Sequence, residues 1–373
     1  MGLTRFLLAL AVVVTHSPSQ QLFGAYLLNG VTAVQAFYVI SGFLITMVLA
    51  SKPEYASAKA FYASRYLRLW PTYAAVAAFV LVVRYDRFVL PLFDLGWAGL
   101  FIAFSSATLF LQDWSYFLNI TPDNGLAWTS YYGNGRYFVT TYPVAPSWTI
   151  GVELAFYAIA PLVCRRWYTL AAVFVAGTVV RLIIGNAGVM QDPWTYRFAP
   201  AEMMLFAAGG LAFFGSRWLK PFSDRPWFRA IGWSTAGLLA VGILLRQWLL
   251  TFQAVNSQLA WFSVTLWLVD PISLGIVALA CPLMFYGARH RFDSFIGELS
   301  YPMYISHFIV GGFLPFLHGR LGGLVYVAAV IAVSVGLHLK IERPIEAVRR
   351  RLAQSLAAAA NVKRAERAAL ATV

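Results

Sequence analysis

The 373-residue sequence predicts an all-α protein, a polytopic transmembrane helical bundle. Three observations carry that expectation. Hydrophobic residues make up 60% of the chain and charged residues only 12%, against roughly 25% charged in a soluble domain. The apolar residues fall into runs that fill on the order of ten membrane helices, at about 20 residues each. Those runs lack the sustained period-two alternation of barrel strands. A soluble enzyme, a nucleic-acid arm and a disordered scaffold are excluded together.

Taken in order, segments bounded by Pro, Gly or charge predict helices at 4–18, 27–50, 70–84, 147–163, 168–185, 199–215, 230–250, 269–287, 299–317 and 321–341. The first carries Arg5 at its start, runs from it straight into apolar residues and looks like a signal peptide, but no small-residue cleavage site precedes the next span, so it is expected to be retained. The second stops at Lys52-Pro53, the third at Arg84, and the fourth before Arg165-Arg166. The run from Trp97 to Leu111 is marginal in length for a crossing and is expected to be re-entrant or interfacial. An outer loop rich in Trp, Tyr and Gly follows, from Asp113 to Pro146.

Charge placement supports that assignment. With the N-terminus inside and Trp97–Leu111 not crossing, 21 of the 28 basic residues face the cytoplasm. They are Arg5; Lys52, Lys59, Arg65 and Arg68; Arg165 and Arg166; Arg217, Lys220, Arg225 and Arg229; Arg289 and Arg291; and eight from Lys340 to Arg367. Arg84, Arg87, Arg136, Arg181, Arg197, Arg246 and Arg320 remain outside. A crossing at Trp97–Leu111 would invert every cluster from Arg165 onward, against the positive-inside rule. The net charge of +13 thus reflects orientation and implies no nucleic-acid partner. Residues 1–344 are expected to form the membrane domain and 345–373 a basic cytoplasmic tail, either an amphipathic helix on anionic lipid or a solvated stop-transfer segment. Cys164 and Cys281 have neither metal-ligand spacing nor a disulfide pattern.

Ionisable side chains within spans are functional candidates. His16 lies eleven positions after Arg5, close to three helical turns, so the two share a face about 16 Å apart. That layout suits a long anionic ligand with a reactive end; a structural histidine would also satisfy the position. Arg65 and Arg68, at i and i+3, can grip a phosphate or pyrophosphate, although topology alone also puts arginines there. Glu153 lies well inside its helix and requires a partner or a proton; pairing with His16 would fix the imidazole tautomer and raise its basicity. Glu202 and Asp270 stand near helix starts and receive no role.

Five motifs in order resemble the acyltransferase-3 family of bacterial membrane acyltransferases: Arg5-x10-His16; Phe37-Tyr-Val-Ile-Ser-Gly-Phe-Leu-Ile45; Arg65-Tyr-Leu-Arg68-Leu-Trp-Pro71; Pro146-Ser-Trp148-Thr-Ile-Gly-Val-Glu153-Leu-Ala-Phe-Tyr157; and Ser300-Tyr-Pro-Met-Tyr-Ile-Ser-His307. Glu342-Arg343-Pro344 is a weaker sixth. The resemblance implies ten membrane helices in a bacterial cytoplasmic membrane, both termini inside, and no metal. It implies a cytosolic acyl-CoA donor, with acetyl-CoA the leading form, and a carbohydrate or glycoconjugate acceptor on the far side. His16 then falls on the family's essential histidine, with Glu153 in support, and Arg5, Arg65, Arg68 and Ser41 fall on the donor side. Trp148, Tyr301 and His307 are expected to line the acceptor pocket; an interfacial belt fits most of the aromatics equally well, and structural packing is the alternative for His307.

His16 would act either as general base or as a transient acyl carrier. Ala33 departs from the family's usual glycine, and the lead before Arg5 is short. No hydrolase-like domain follows Pro344, as in the stand-alone type. A transporter or flippase with a His16/Glu153 proton relay is the rival, but it predicts inverted repeats that the sequence lacks. A non-catalytic scaffold leaves the alignment of Arg5, His16, Arg65 and Arg68 unexplained.

Overall fold

The computed structural model describes residues 1–22, 27–55, 57–121, 123–129, 141–189, 192–256, 262–288 and 290–370. Arg136 and Arg289 lie outside them, as do the side chains of Arg246, Asp270, Lys363, Arg364 and Arg367. The protein is a multi-pass helical membrane protein. Six described helices are long and apolar enough to cross a bilayer, and three shorter apolar helices accompany them.

The chain opens with α1 (Gly2–Thr15), α2 (Gly30–Ser51) and α3 (Ala58–Val83). Three short pieces follow: α4 (Tyr85–Phe88), α5 (Leu90–Asp94) and α6 (Gly96–Thr108). The next helices are α7 (Trp148–Val163), α8 (Trp167–Asn186), α9 (Ala199–Gly215), α10 (Pro226–Asn256) and α11 (Phe262–Gly287). After α12 (Arg291–Glu298) come α13 (Ser300–Phe313), α14 (Gly319–Leu337) and α15 (Arg343–Leu370). Sheet is confined, among the described residues, to one antiparallel pair, β1 (Leu118–Ile120) and β2 (Leu126–Trp128), with Asn119 opposite Ala127.

Helix α1 sits in the middle of the bundle, with Leu8, Ala9, Ala11, Val12, Val13 and Val14 nearly inaccessible. Its first turn is capped from a distance. The Asp293 carboxylate of α12 accepts from the backbone N–H of Gly2 at 2.9 Å and Leu3 at 2.7 Å, two of the donors a helix start leaves unpaired. Helices α2 and α9 cross at closest approach: a Cβ on Gly42 would stand 1.9 Å from the Phe206 carbonyl oxygen, and one on Gly209 1.9 Å from that of Val39. Small residues at such a crossing let backbones touch where lipid offers no hydrophobic drive.

Two differences from the sequence reading bear on the site. Helix α3 begins at Ala58 rather than near Trp70, running through Pro71. Proline breaks only one ladder bond, and neighbouring helices hold the turn. Arg65 and Arg68 are therefore inside the helix. At the other end α14 continues through a π-helical turn, His338–Glu342, into α15 despite Pro344. The tail is a helix, but it docks: Arg349 donates to Ser64 of α3 at 2.9 Å.

The segment between α3 and α7 leaves and returns on one face. Tyr62 Oη donates to the Ala158 carbonyl at 2.8 Å, so the start of α3 lies beside the end of α7 and the two run antiparallel. Helix α6 descends along α3 until Trp70 and Tyr73 donate to the carbonyls of Ala107 and Ser106, both at 2.8 Å. There the chain turns back through Leu109 and Leu111, both at positive φ. Gln112 fastens the returning strand to Tyr73 at 3.2 Å and accepts from Ser147 just before α7. Helix α6 and the segment after it thus form a hairpin alongside α3, with Trp97 87% exposed on its outer side.

This topology has a direct check. An impermeant maleimide should reach Arg165→Cys and Arg350→Cys from one face and Asp86→Cys from the other, the natural cysteines Cys164 and Cys281 being buried. Labelling of Arg165→Cys from the face that exposes Asp86→Cys would mean that the hairpin crosses.

Candidate active site

Helices α1 and α13 bring two histidines together. The rings of His16, the C-terminal cap of α1, and His307 have centroids 5.1 Å apart at 47°. Each ring is tied to its own helix: His16 Nδ1 to the Val12 carbonyl at 2.9 Å, and His307 Nδ1 to the Tyr304 carbonyl at 2.7 Å. A carbonyl only accepts, so Nδ1 carries the proton in the neutral rings and Nε2 is left as the basic nitrogen. His16 is exposed to, and His307 buried against, a cavity of about 100 Å³. Trp148 at the start of α7 also lines it.

Arg197, which sequence placed only among the outer charges, lines this cavity too. Its guanidinium lies 3.7 Å from the Tyr116 ring centroid and 4.3 Å from that of Trp148. Its Nε donates to Asp192 Oδ1 at 2.7 Å. Stacked between aromatic faces and paired with a carboxylate, this cation can be desolvated at tolerable cost. No motif flagged it, because its partners come from three separate segments.

A second cavity, of about 270 Å³, lies at the opposite end of α1. Arg5, Arg65, Arg68 and Ser41 all line it. Arg5 donates to Ser300 at 2.9 Å, which explains why a serine opens the α13 motif. Arg65, 8% exposed, stacks 5.7 Å from Phe61 and 5.9 Å from Tyr157. Lys52 and Arg349 add two cations that sequence reasoning missed. The cavity shares Arg68 and Arg349 with a vestibule of about 700 Å³ beneath α15. Among the described residues, no three His, Cys, Asp or Glu side chains cluster as metal ligands.

Two expected placements change. Glu153 does not pair with His16; it accepts from Tyr157 Oη at 2.6 Å and Ser41 Oγ at 3.1 Å and lines the arginine cavity. Trp148 is the α7 residue at the level of His16, and Glu153 lies five residues deeper, about 7.5 Å along the axis. Tyr301 likewise sits with the arginines, its hydroxyl donating to the Leu69 carbonyl at 2.7 Å, and not with His307. Glu202 is an internal ion-pair partner, bound by Arg181 at 2.5 Å and by Gln35.

Residues 1–339 match the acyltransferase-3 family, described as an acyltransferase domain. The chain belongs to that family. It is therefore a membrane acyltransferase. An uncharacterized protein of Aquifex aeolicus (strain VF5) is 21% identical over 212 residues, which cover 55% of this chain and 89% of that protein. No solved structure matches. In this acyltransferase the matched span stops before α15, so Arg349 reaches the arginine cavity from beyond the family domain.

Proposed function

We propose that this acyltransferase moves an acyl group, acetyl in the simplest case, from cytosolic acyl-CoA to a hydroxyl of an extracytoplasmic carbohydrate-type acceptor. One observation carries the reading. The cavities form a series: vestibule and arginine cavity share Arg68 and Arg349, and the arginine and histidine cavities share Val34 and Tyr304. Cations thus lie at one end of a route and an imidazole pair at the other, Arg5 and His16 being about 16 Å apart. A phosphate-bearing donor with a long, flexible thioester arm suits that layout.

In the proposed reaction Arg5, Arg65, Arg68 and Arg349 hold the donor's phosphates. The arm reaches past Val34 and Tyr304 to present its thioester to His16. His16 Nε2 removes the acceptor hydroxyl's proton as the oxygen attacks the carbonyl carbon. The carbon–sulfur bond then breaks, and the thiolate leaves with the proton returned by the imidazolium. Glu153 and Ser41 are proposed to order the donor cavity, the carboxylate offsetting part of the arginine charge. Trp148 is proposed as the aromatic wall for the acceptor. The basic face, with both termini, is proposed to be the cytoplasmic side of a bacterial inner membrane.

The test is acetyl transfer in sealed vesicles carrying the protein. With inside-out vesicles, external labelled acetyl-CoA should yield an alkali-labile ester on luminal envelope glycan. Label confined to alkali-stable product, or equal labelling by right-side-out vesicles, would remove the proposal.

A further inference from the structure

A thioester that reaches His16 comes to rest where the arginine cavity opens into the histidine cavity, and that place has a hydrogen-bond donor. The two cavities share Val34 of α2 and Tyr304 of α13. Val34 is apolar, so among the described residues the Tyr304 hydroxyl is the polar side-chain group common to both walls.

Two helices fix the level of that hydroxyl. On α13, Ser300 meets Arg5 at 2.9 Å, and the His307 ring meets that of His16 with centroids 5.1 Å apart. Tyr304 lies between these contacts, about 4.5 Å short of His307 along the helix axis. On α7, Trp148 lines the histidine cavity and the next residue, Thr149, the arginine cavity, so the join falls between them. The Tyr304 hydroxyl is turned toward Thr149. Tyr304 is half-buried, and its oxygen is not one of the sealed, unpartnered atoms of the interior, which include Tyr38 Oη and His307 Nε2.

Size adds a second constraint. At about 100 Å³ the histidine cavity is far smaller than a usual ligand pocket of roughly 300–1,000 Å³. A group on its wall therefore stands close to whatever reacts on His16. Arg197 lines the histidine cavity but not the arginine cavity, which puts its charge on the acceptor's side of the join.

We infer that Tyr304 is the oxyanion donor of the reaction, its O–H hydrogen-bonding the thioester carbonyl oxygen. The inference rests on the acyl-transfer reading of His16. As His16 Nε2 takes the acceptor's proton, the acceptor oxygen bonds to the carbonyl carbon and the carbonyl π electrons move onto its oxygen. Tyr304 keeps its own proton and donates the hydrogen bond that steadies this negative charge. The carbonyl then re-forms, the carbon–sulfur bond breaks, and the thiolate leaves with the proton from the imidazolium. Tyr304 is thus a further catalytic residue, distinct from the base.

Tyr304→Phe tests the assignment, since it removes the hydroxyl and keeps the ring. Loss of one oxyanion donor lowers kcat by about 10²- to 10³-fold. That loss is expected for labelled acetyl transfer to envelope glycan in inside-out vesicles, with KM for acetyl-CoA close to wild type. A second measurement reads the contact itself. With acetyl-CoA carrying ¹³C at the thioester carbonyl, bound without acceptor to the full-length protein in nanodiscs, the infrared carbonyl band should move to lower frequency. In Tyr304→Phe that shift should be lost, while CoA titration shows the site still folded.

Full transfer by Tyr304→Phe would overturn the assignment and leave acyl transfer standing. So would a loss of kcat with the same carbonyl band in both proteins, which would make the hydroxyl a packing group. A wild type that shows the Tyr304-dependent shift but transfers no acetyl group would overturn the acyl-transfer reading alone, the carbonyl contact standing.

Discussion

His16→Ala is expected to lower acyl transfer by roughly 10² to 10⁴-fold, the usual span for loss of a positioned general base. Donor affinity should stay close to wild type. The split follows from geometry. His16 lines the small outer cavity, whereas the arginines line the inner one, and the two share only the Val34 and Tyr304 walls. His16→Gln sharpens the test, because glutamine retains a hydrogen-bond acceptor but cannot take a proton at neutral pH. If His16 merely positioned the acceptor, the glutamine variant would recover activity; as the base, it stays as impaired as alanine. Label transfer from acetyl-CoA gives the rate, and CoA titration gives the affinity. Wild-type transfer by His16→Ala would end the assignment.

Helical arithmetic carried a good part of this site. Arg5 and His16 mark the two ends of one helix face, and Arg65 and Arg68 share a cavity as their i, i+3 spacing indicates. Charge asymmetry identified the α6 hairpin as a non-crossing element, and the α3–α7 pairing agrees. Apart from the helix boundaries at Pro71 and Pro344, the failures concern which helices meet, and at what depth. Glu153 had a partner legible in sequence, Tyr157 at i+4, yet the pull of a catalytic dyad favoured His16. Burial depth along α7 decided otherwise. His307 meets His16 only because α1 and α13 are neighbours, which no spacing within either helix encodes. Arg349 was read as tail, although its register with Glu346 at i−3 already made it part of an ordered helix face. Only the docking of α15 on α3 brings it to the arginine cavity.

That docking bears on the second large effect, the loss of donor binding in the arginine variants. A charge-assisted hydrogen bond is worth about 1.5–3 kcal/mol, so Arg68→Ala should weaken acyl-CoA binding by roughly 10- to 100-fold. Arg68 is the cleaner choice, since it is half-buried at the join of cavity and vestibule. Arg65 is buried against Phe61 and Tyr157, and its removal also loses packing; Arg65→Lys, which keeps the charge without the planar fork, isolates the bidentate contribution. A donor without phosphates separates the two meanings of a positive charge on this face. With S-acetylpantetheine, Arg68→Ala should approach wild-type turnover, whereas with acetyl-CoA it should remain far below. If the arginine only sets membrane orientation, or only holds α3 against its neighbours, both donors will suffer alike. A defect confined to acetyl-CoA requires that the guanidinium meet a phosphate.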